Sequence, residues 1–184
     1  MYAGHFAAAF AIKAREPKAP KWALLVGVVI LDLLFGSFVL AGIEKVTMTP
    51  SISPGMRWDD IGWSHSLLMS LVWSVLFAIP FFRYGRSVMI AIAVAVFSHF
   101  VLDVPLHPAD MPLLPGSNIY LGLGFLRTLP HGYWFIELAV LLGFWAYYWR
   151  RMKVDPSLGS RPFAVGIVLI LLHVFTSPWL QQFH

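Results

Sequence analysis

The side chains in this sequence best equipped for chemistry are a few imidazoles and carboxylates set inside long apolar runs. Asp32 stands in Val28-Val29-Ile30-Leu31-Asp32-Leu33-Leu34, eleven residues beyond Lys21, which on a helix is about 17 Å from that cation. Ser98-His99-Phe100-Val101-Leu102-Asp103 puts a histidine and an aspartate four residues apart, on one helical face and within reach of one ion. His65 lies in Trp63-Ser64-His65-Ser66, and His5 in Tyr2-Ala3-Gly4-His5-Phe6-Ala7. Ionisable groups in apolar helices are costly to bury, so they face a bundle interior and mark functional sites. Singly, each also has a structural explanation: a protonated or paired carboxylate at Asp32, a His99–Asp103 pair that fixes helix packing, an interfacial anchor at His65.

As a set they are more specific. Asp32 is central in its run, His99 and Asp103 fall in the outer half of an outward-running helix, and His65 opens another run from the outer side, so the four are expected to converge on one outward-facing cavity. Glu44, His131 and Glu137 fall at similar depth and are candidates to orient those ligands or to form a second metal position. The sequence has no cysteine, and a nitrogen and oxygen donor set suits Zn²⁺ or another first-row divalent ion, with Mn²⁺ favoured if carboxylates dominate. Such an ion acidifies water and polarises a phosphoryl or carbonyl oxygen. A serine mechanism is not expected. Ser64 and Ser66 adjoin His65, but neighbouring helical residues point in different directions, which leaves no Ser–His relay. The chain contains no glycine-rich phosphate loop and no nucleophile elbow.

The elements that must carry these groups are membrane helices. Of the 184 residues 59% are hydrophobic and 12% charged, with mean hydropathy +0.74, whereas an ordinary soluble domain is about 25% charged. The pattern predicts an all-α bundle, a single integral membrane domain over 1–184 with its metal-site motifs concentrated in 1–105. Five apolar runs, 22–43, 67–82, 88–104, 133–149 and 163–180, are each read as a transmembrane helix. The alanine-rich segment 2–14 is too short to cross and is expected as a half-helix tucked among the others. Its apolar run precedes the basic residues, the reverse of a secretory signal, so it is read as part of the mature fold. Lys13, Arg15, Lys18 and Lys21, then Arg83 and Arg86, then Arg150, Arg151, Lys153 and Arg161 place three connections on the cytoplasmic side. The cation-poor segments 44–64 and 105–132 are then outside, the second with an apolar, glycine-rich flap over 113–129. The net charge of +4 sits in connections and forms no basic stripe, which excludes a nucleic-acid partner.

Gly4-His5 followed by small residues, Leu31-Asp32, Ser64-His65-Ser66, and Ser98-His99 with Leu102-Asp103 together resemble the YdjM-like family of membrane-bound, LexA-regulated metal-dependent hydrolases. The resemblance covers residues 1–105. The family is in turn similar to zinc-dependent phospholipase C and P1-type nucleases, which use an ordered His, Asp, His and H-x-x-x-D series. It implies that Asp32, His65, His99 and Asp103 hold one metal ion, that His5 helps to hold a second beside Asp103, and that the chemistry is phosphoester hydrolysis. The chain has one aspartate where the family pattern is often Pro-Asp-x-Asp, and His131 and Glu137 are six apart, not in the H-x-x-x-E spacing of the soluble relatives.

The expectation is therefore a hydrolase of the bacterial inner membrane with zinc, or alternatively manganese, at its centre. Its catalytic groups are Asp32, His65, His99 and Asp103, its metal ligands these four and His5, and its partner a lipid-linked or amphiphilic phosphoester. Arg57 and Arg127, cations of the outer segments, are candidates for the phosphate or for interface anchors. The alternative is a transporter that uses the same cluster as a proton or metal-ion relay.

Overall fold

The computed structural model describes residues 2–49, 55–107, 110–155 and 162–177, with the backbone alone described at 46–49, 55–60, 126, 127 and 130. The first helix, α1 (Tyr2–Arg15), is the centre of the bundle. Alanine favours the helix and brings no bulk, so Ala3, Ala7, Ala8 and Ala14 are buried and α1 packs against the helices that begin at Lys21, Arg86, Pro130 and Pro162. It ends before Pro17 and Pro20, and the Lys13 ammonium donates to the Ala19 carbonyl at 2.8 Å, which ties the turn to the helix. The half-helix expected at the N-terminus is thus present and enclosed.

The first apolar run does not form one straight helix. It is α2 (Lys21–Gly27) and α3 (Ile30–Leu40), bent by 51° at the break. Val29 leaves helical geometry at φ −126° and ψ 3°. The Val28 carbonyl receives a 2.7 Å hydrogen bond from the His99 ring, and a side chain that enters the backbone ladder is a recognised cause of a kink. The break places Asp32 in the first turn of α3, where the unpaired N–H groups favour a carboxylate. A charge in mid-run is tolerated because the run is interrupted there.

Next come β1 (Lys45–Thr49) and β2 (Gly55–Asp60), a short antiparallel pair in which Thr47 pairs with Arg57, an addition to an architecture that is otherwise helical, as expected. The one-turn α4 (Gly62–His65) leads into α5 (Leu67–Ala78), whose first turn is capped by the Ser66 hydroxyl accepting from Met69 N–H at 3.2 Å. A 3-10 turn over Ile79–Tyr84 carries Pro80 and ends at Gly85, with φ +114°, a conformation that favours glycine. The chain then reverses into α6 (Arg86–Asp103). After α6 the glycine-rich segment folds back, with Pro112 bridging Tyr120. Its Pro112 and Leu113 carbonyls accept from Leu67 and Leu68 N–H, so the flap expected over 113–129 closes the first turn of α5. The short α7 (Phe125–Thr128), the long α8 (Pro130–Val154) and α9 (Pro162–Phe175) complete the bundle. A Cβ on Gly166 would lie 2.6 Å from the Trp145 ring, so that glycine is what lets α9 approach α8.

Among the described residues two helices, Leu67–Tyr84 and Arg86–Asp103, are long and apolar enough to cross a membrane, or three if the bent pair α2–α3 is one span. This corrects the expected five. The α8 run has the length, but Trp, Tyr, His131 and Glu137 lower its hydropathy, and α9 at 14 residues is about 21 Å long, short of the roughly 30 Å apolar layer. The flanks of α5 and α6 expose Leu71, Val75, Leu76, Ile90, Val94 and Val101, a surface suited to lipid.

Most of the described cations gather at one end. Trp22 packs on Phe81, and the Arg151 guanidinium reaches the Ala14 carbonyl at 3.4 Å. The end of α1, the start of α2, the Gly85 turn and the end of α8 are therefore neighbours, and they carry Lys13, Arg15, Lys21, Arg83, Arg86 and Arg150. An apolar layer that includes Ala9, Leu24, Val28, Ile92 and Ala95 lies between that end and the ionisable groups.

Candidate metal centre

His99 is fully buried on α6. Its Nδ1 is 2.7 Å from the Val28 carbonyl oxygen, and a carbonyl only accepts, so the proton is on Nδ1. The other nitrogen, Nε2, keeps its lone pair in the neutral ring. That atom lies 3.4 Å from Asp32 Oδ1 and 3.1 Å from Asp103 Oδ2. The four-residue spacing on α6 supplies Asp103, and the α2–α3 break supplies Asp32.

His65 is oriented in the same sense by a longer chain. Glu44 accepts from Ser64 N–H at 2.8 Å and from the Ser64 hydroxyl at 2.8 and 3.0 Å. That uses the one hydroxyl proton, so Ser64 Oγ accepts from His65 Nδ1 at 2.7 Å. His65 Nε2 is left facing Asp32 Oδ1 at 3.5 Å. The expectation that Ser64 and His65 make no relay is corrected. Both lie in α4, which ends at the extended Ser66, and the two side chains meet there. The chain Glu44–Ser64–His65 orients an imidazole; Ser64 itself is fully buried with its hydroxyl committed to Glu44, so it is no nucleophile.

His5 completes the group from α1. Its Nε2 is 3.1 Å from Asp103 Oδ1, and its ring stacks on His99 with centroids 4.0 Å apart and planes 12° apart. Desolvation pushes the His5 imidazole down to about 4 against the attraction of Asp103, and burial likewise lowers His65. Both rings are neutral at physiological pH and able to donate a lone pair.

The five residues singled out in the sequence, His5, Asp32, His65, His99 and Asp103, are thus brought together. A neutral Nε2 lone pair gains nothing from a carboxylate oxygen. His65 Nε2 and His99 Nε2 are buried without a hydrogen-bond partner, as is His5 Nδ1. A charged donor would approach a carboxylate to about 2.7–2.9 Å, closer than the 3.4 and 3.5 Å found at Asp32. Four ligands at about 2.0–2.1 Å from a tetrahedral ion lie roughly 3.4 Å from one another. The ligand atoms of Asp32, His65 and His99 all lie within 4.8 Å of one another, as do those of His5, His99 and Asp103. These buried groups fit a metal ion. His99 offers one lone pair and can serve one ion; Asp103, with two oxygens, is placed to serve two.

Of the outer candidates, Glu44 joins the centre through Ser64, and Glu137 reaches Gly4 N–H at 3.2 Å. His131 is exposed and belongs to neither ligand group. The side chains of Arg57 and Arg127 lie outside the described residues. The sequence reading missed His107 and Asp110. Past α6 the Asp103 carbonyl accepts from His107 N–H at 2.9 Å, which extends the helical spacing by one turn. His107 Nε2 then comes 3.8 Å from Asp103 Oδ2, while its Nδ1 pairs with Asp110 at 3.1 Å. The signal was the repeated step of four from His99 to Asp103 to His107, masked by Pro105. Asp110 also lines a polar pocket of about 230 Å³ with Ser117, Asn118 and Tyr120. Asp32, with 35% of its side chain exposed, is the most open member of the cluster.

No family model, curated protein or solved structure matches the chain.

Proposed function

We propose that this protein is a membrane-embedded metal-dependent hydrolase acting on a lipid-linked or amphiphilic phosphoester, with zinc as the ion and manganese as its substitute. The observation that carries the reading is the pair of buried imidazoles, His65 and His99, whose Nδ1 protons are committed to Ser64 and Val28 so that both Nε2 atoms face the Asp32 carboxylate. The all nitrogen and oxygen donor set favours zinc, and the ordered series of His5, Asp32, His65, His99 and Asp103 supports membership of the YdjM-like hydrolases. A bound divalent ion supplies Lewis acidity toward a phosphoryl oxygen and acidifies water. The protein's own contribution is to keep the two imidazoles buried and aimed, to leave Asp32 accessible to substrate, and to hold Asp103 between His5 and His99.

Transport through the same cluster is the weaker reading. Between the centre and the cation-rich end, the buried residues on α1, α2 and α6 include Ala9, Ala23, Leu24, Val28, Val88, Ile92 and Ala95, and an apolar layer is a poor relay for protons or ions. The test is a screen of the detergent-purified chain against phospholipids and polyprenyl phosphates. Zinc-dependent release of phosphate or a phosphorylated headgroup, abolished by a chelator and restored by zinc, supports hydrolysis. Zinc or proton flux into proteoliposomes without hydrolysis supports transport.

The cation-rich end faces the cytoplasm of a bacterial inner membrane in this account, and the metal centre opens to the other side. Cysteines introduced at positions 57 and 153 are therefore expected to label from opposite faces of intact cells. Labelling of both from one face contradicts the orientation.

A further inference from the structure

Glu137 is a buried carboxylate that the proposed chemistry does not use. It sits on α8 with 3% exposure, and a lone buried carboxylate is costly unless it is paired and hydrogen-bonded. Its Oε1 accepts from Gly4 N–H at 3.2 Å across 133 residues of sequence. Its Oε2 faces His173 Nδ1 at 3.7 Å. His173 is itself fully buried on α9, and its ring is stacked under Trp134 with centroids 4.3 Å apart. Three helices therefore meet around one carboxylate.

What that carboxylate does follows from where Gly4 is. The first N–H groups of a helix have no partner within it, and the first turn of α1 contains no acidic residue of its own. Glu137 brings both the acceptor and the negative charge that a helix N-terminus favours. The next residue is His5, whose ring must meet Asp103 at 3.1 Å and lie on His99 at 4.0 Å. A slip of α1 by one residue would raise it by about 1.5 Å and turn the His5 ring by about 100°, taking the ring away from Asp103. The alanine surface that lets α1 approach its neighbours is smooth and fixes its height poorly, so polar ties set it: Arg151 on the Ala14 carbonyl at the last turn and Glu137 on Gly4 N–H at the first, beside His5.

We propose that Glu137, held against His173, is a positioning residue for the metal centre: it pins the first turn of α1 and so sets the reach of His5 to Asp103. The inference rests on the reading of His5 and Asp103 as metal ligands. The test is a double-mutant cycle on the full chain in detergent, with zinc affinity measured by chelator competition for Glu137→Leu and Glu137→Gln, each in the parent and in a His5→Ala background. Glu137→Leu is expected to weaken zinc about 10-fold or more in the parent, the effect typical of a group that orients a ligand, and to have no effect once His5 is gone. Glu137→Gln keeps an acceptor for Gly4 N–H and is expected to restore affinity to within about threefold. Glu137→Met, a flexible chain without an acceptor, replaces the leucine variant if that fails to fold. Equal weakening in both backgrounds assigns Glu137 to general packing and overturns the proposal, as does a leucine or methionine variant with parental affinity. A parent that takes up no zinc overturns the metal reading together with this one.

Discussion

Asp32→Asn is expected to abolish phosphoester hydrolysis, with a loss above about 100-fold, while the helices stay in place. Asp32 is the carboxylate that both buried imidazoles face, at 3.4 Å from His99 and 3.5 Å from His65, so it would balance the charge of an ion held between them. Asparagine keeps the shape and removes the charge. Its amide also brings two N–H donors to within reach of the Nε2 lone pairs, which satisfies atoms that are otherwise without a hydrogen-bond partner. The metal-free variant should therefore be at least as stable as the metal-free parent, since buried acceptors without partners cost about 1–3 kcal/mol each. Turnover and thermal unfolding measured on the same preparations check both halves. Near-parental turnover on a substrate that the parent demonstrably hydrolyses contradicts the assignment.

His99→Ala is expected to remove more of the bound metal than His5→Ala does. His99 belongs to both ligand groups; His5 belongs to one. The alanine also strips the donor from the Val28 carbonyl at the α2–α3 break, leaving a buried acceptor unpaired at a cost of about 1–3 kcal/mol. Truncation of a fully buried side chain adds a cavity penalty. His131→Ala, at an exposed position outside both groups, should keep the parental metal content. Elemental analysis of the three proteins checks the order, and equal metal in His99→Ala and His131→Ala would sink the site.

The clustered groups were legible because an ionisable residue in an apolar run has few inexpensive places to go, and His5, Asp32, His65, His99 and Asp103 stand out on that ground alone. What orients them was less visible. The pairing of Glu44 with Ser64 joins two residues separated by a hairpin, and no local pattern announces it. His107 was lost behind Pro105, because a proline reads as the end of a helix, although the Asp103 carbonyl carries the spacing one turn further. The span count erred for two physical reasons. Composition treats Trp and Tyr as apolar, though their polar edges keep α8 out of the set of helices apolar enough to cross. A break such as that at Val28 and Val29 comes from a contact with His99, 71 residues away, which the hydropathy of the run does not contain. The enclosure of α1 was readable from its alanines; its register, set by a carboxylate on α8, was not.

The central claim is that the His and Asp cluster holds a divalent ion through nitrogen and oxygen. X-ray absorption at the zinc edge, on the detergent-purified full chain after reconstitution with zinc, tests it most directly. Expected is at least one tightly held equivalent with only nitrogen and oxygen neighbours, two of them imidazoles from His65 and His99, at about 2.0–2.1 Å, and loss of the imidazole scattering in a His65→Ala, His99→Ala double variant. A parent that retains no zinc after dialysis, or whose zinc signal is unchanged in the double variant, contradicts it.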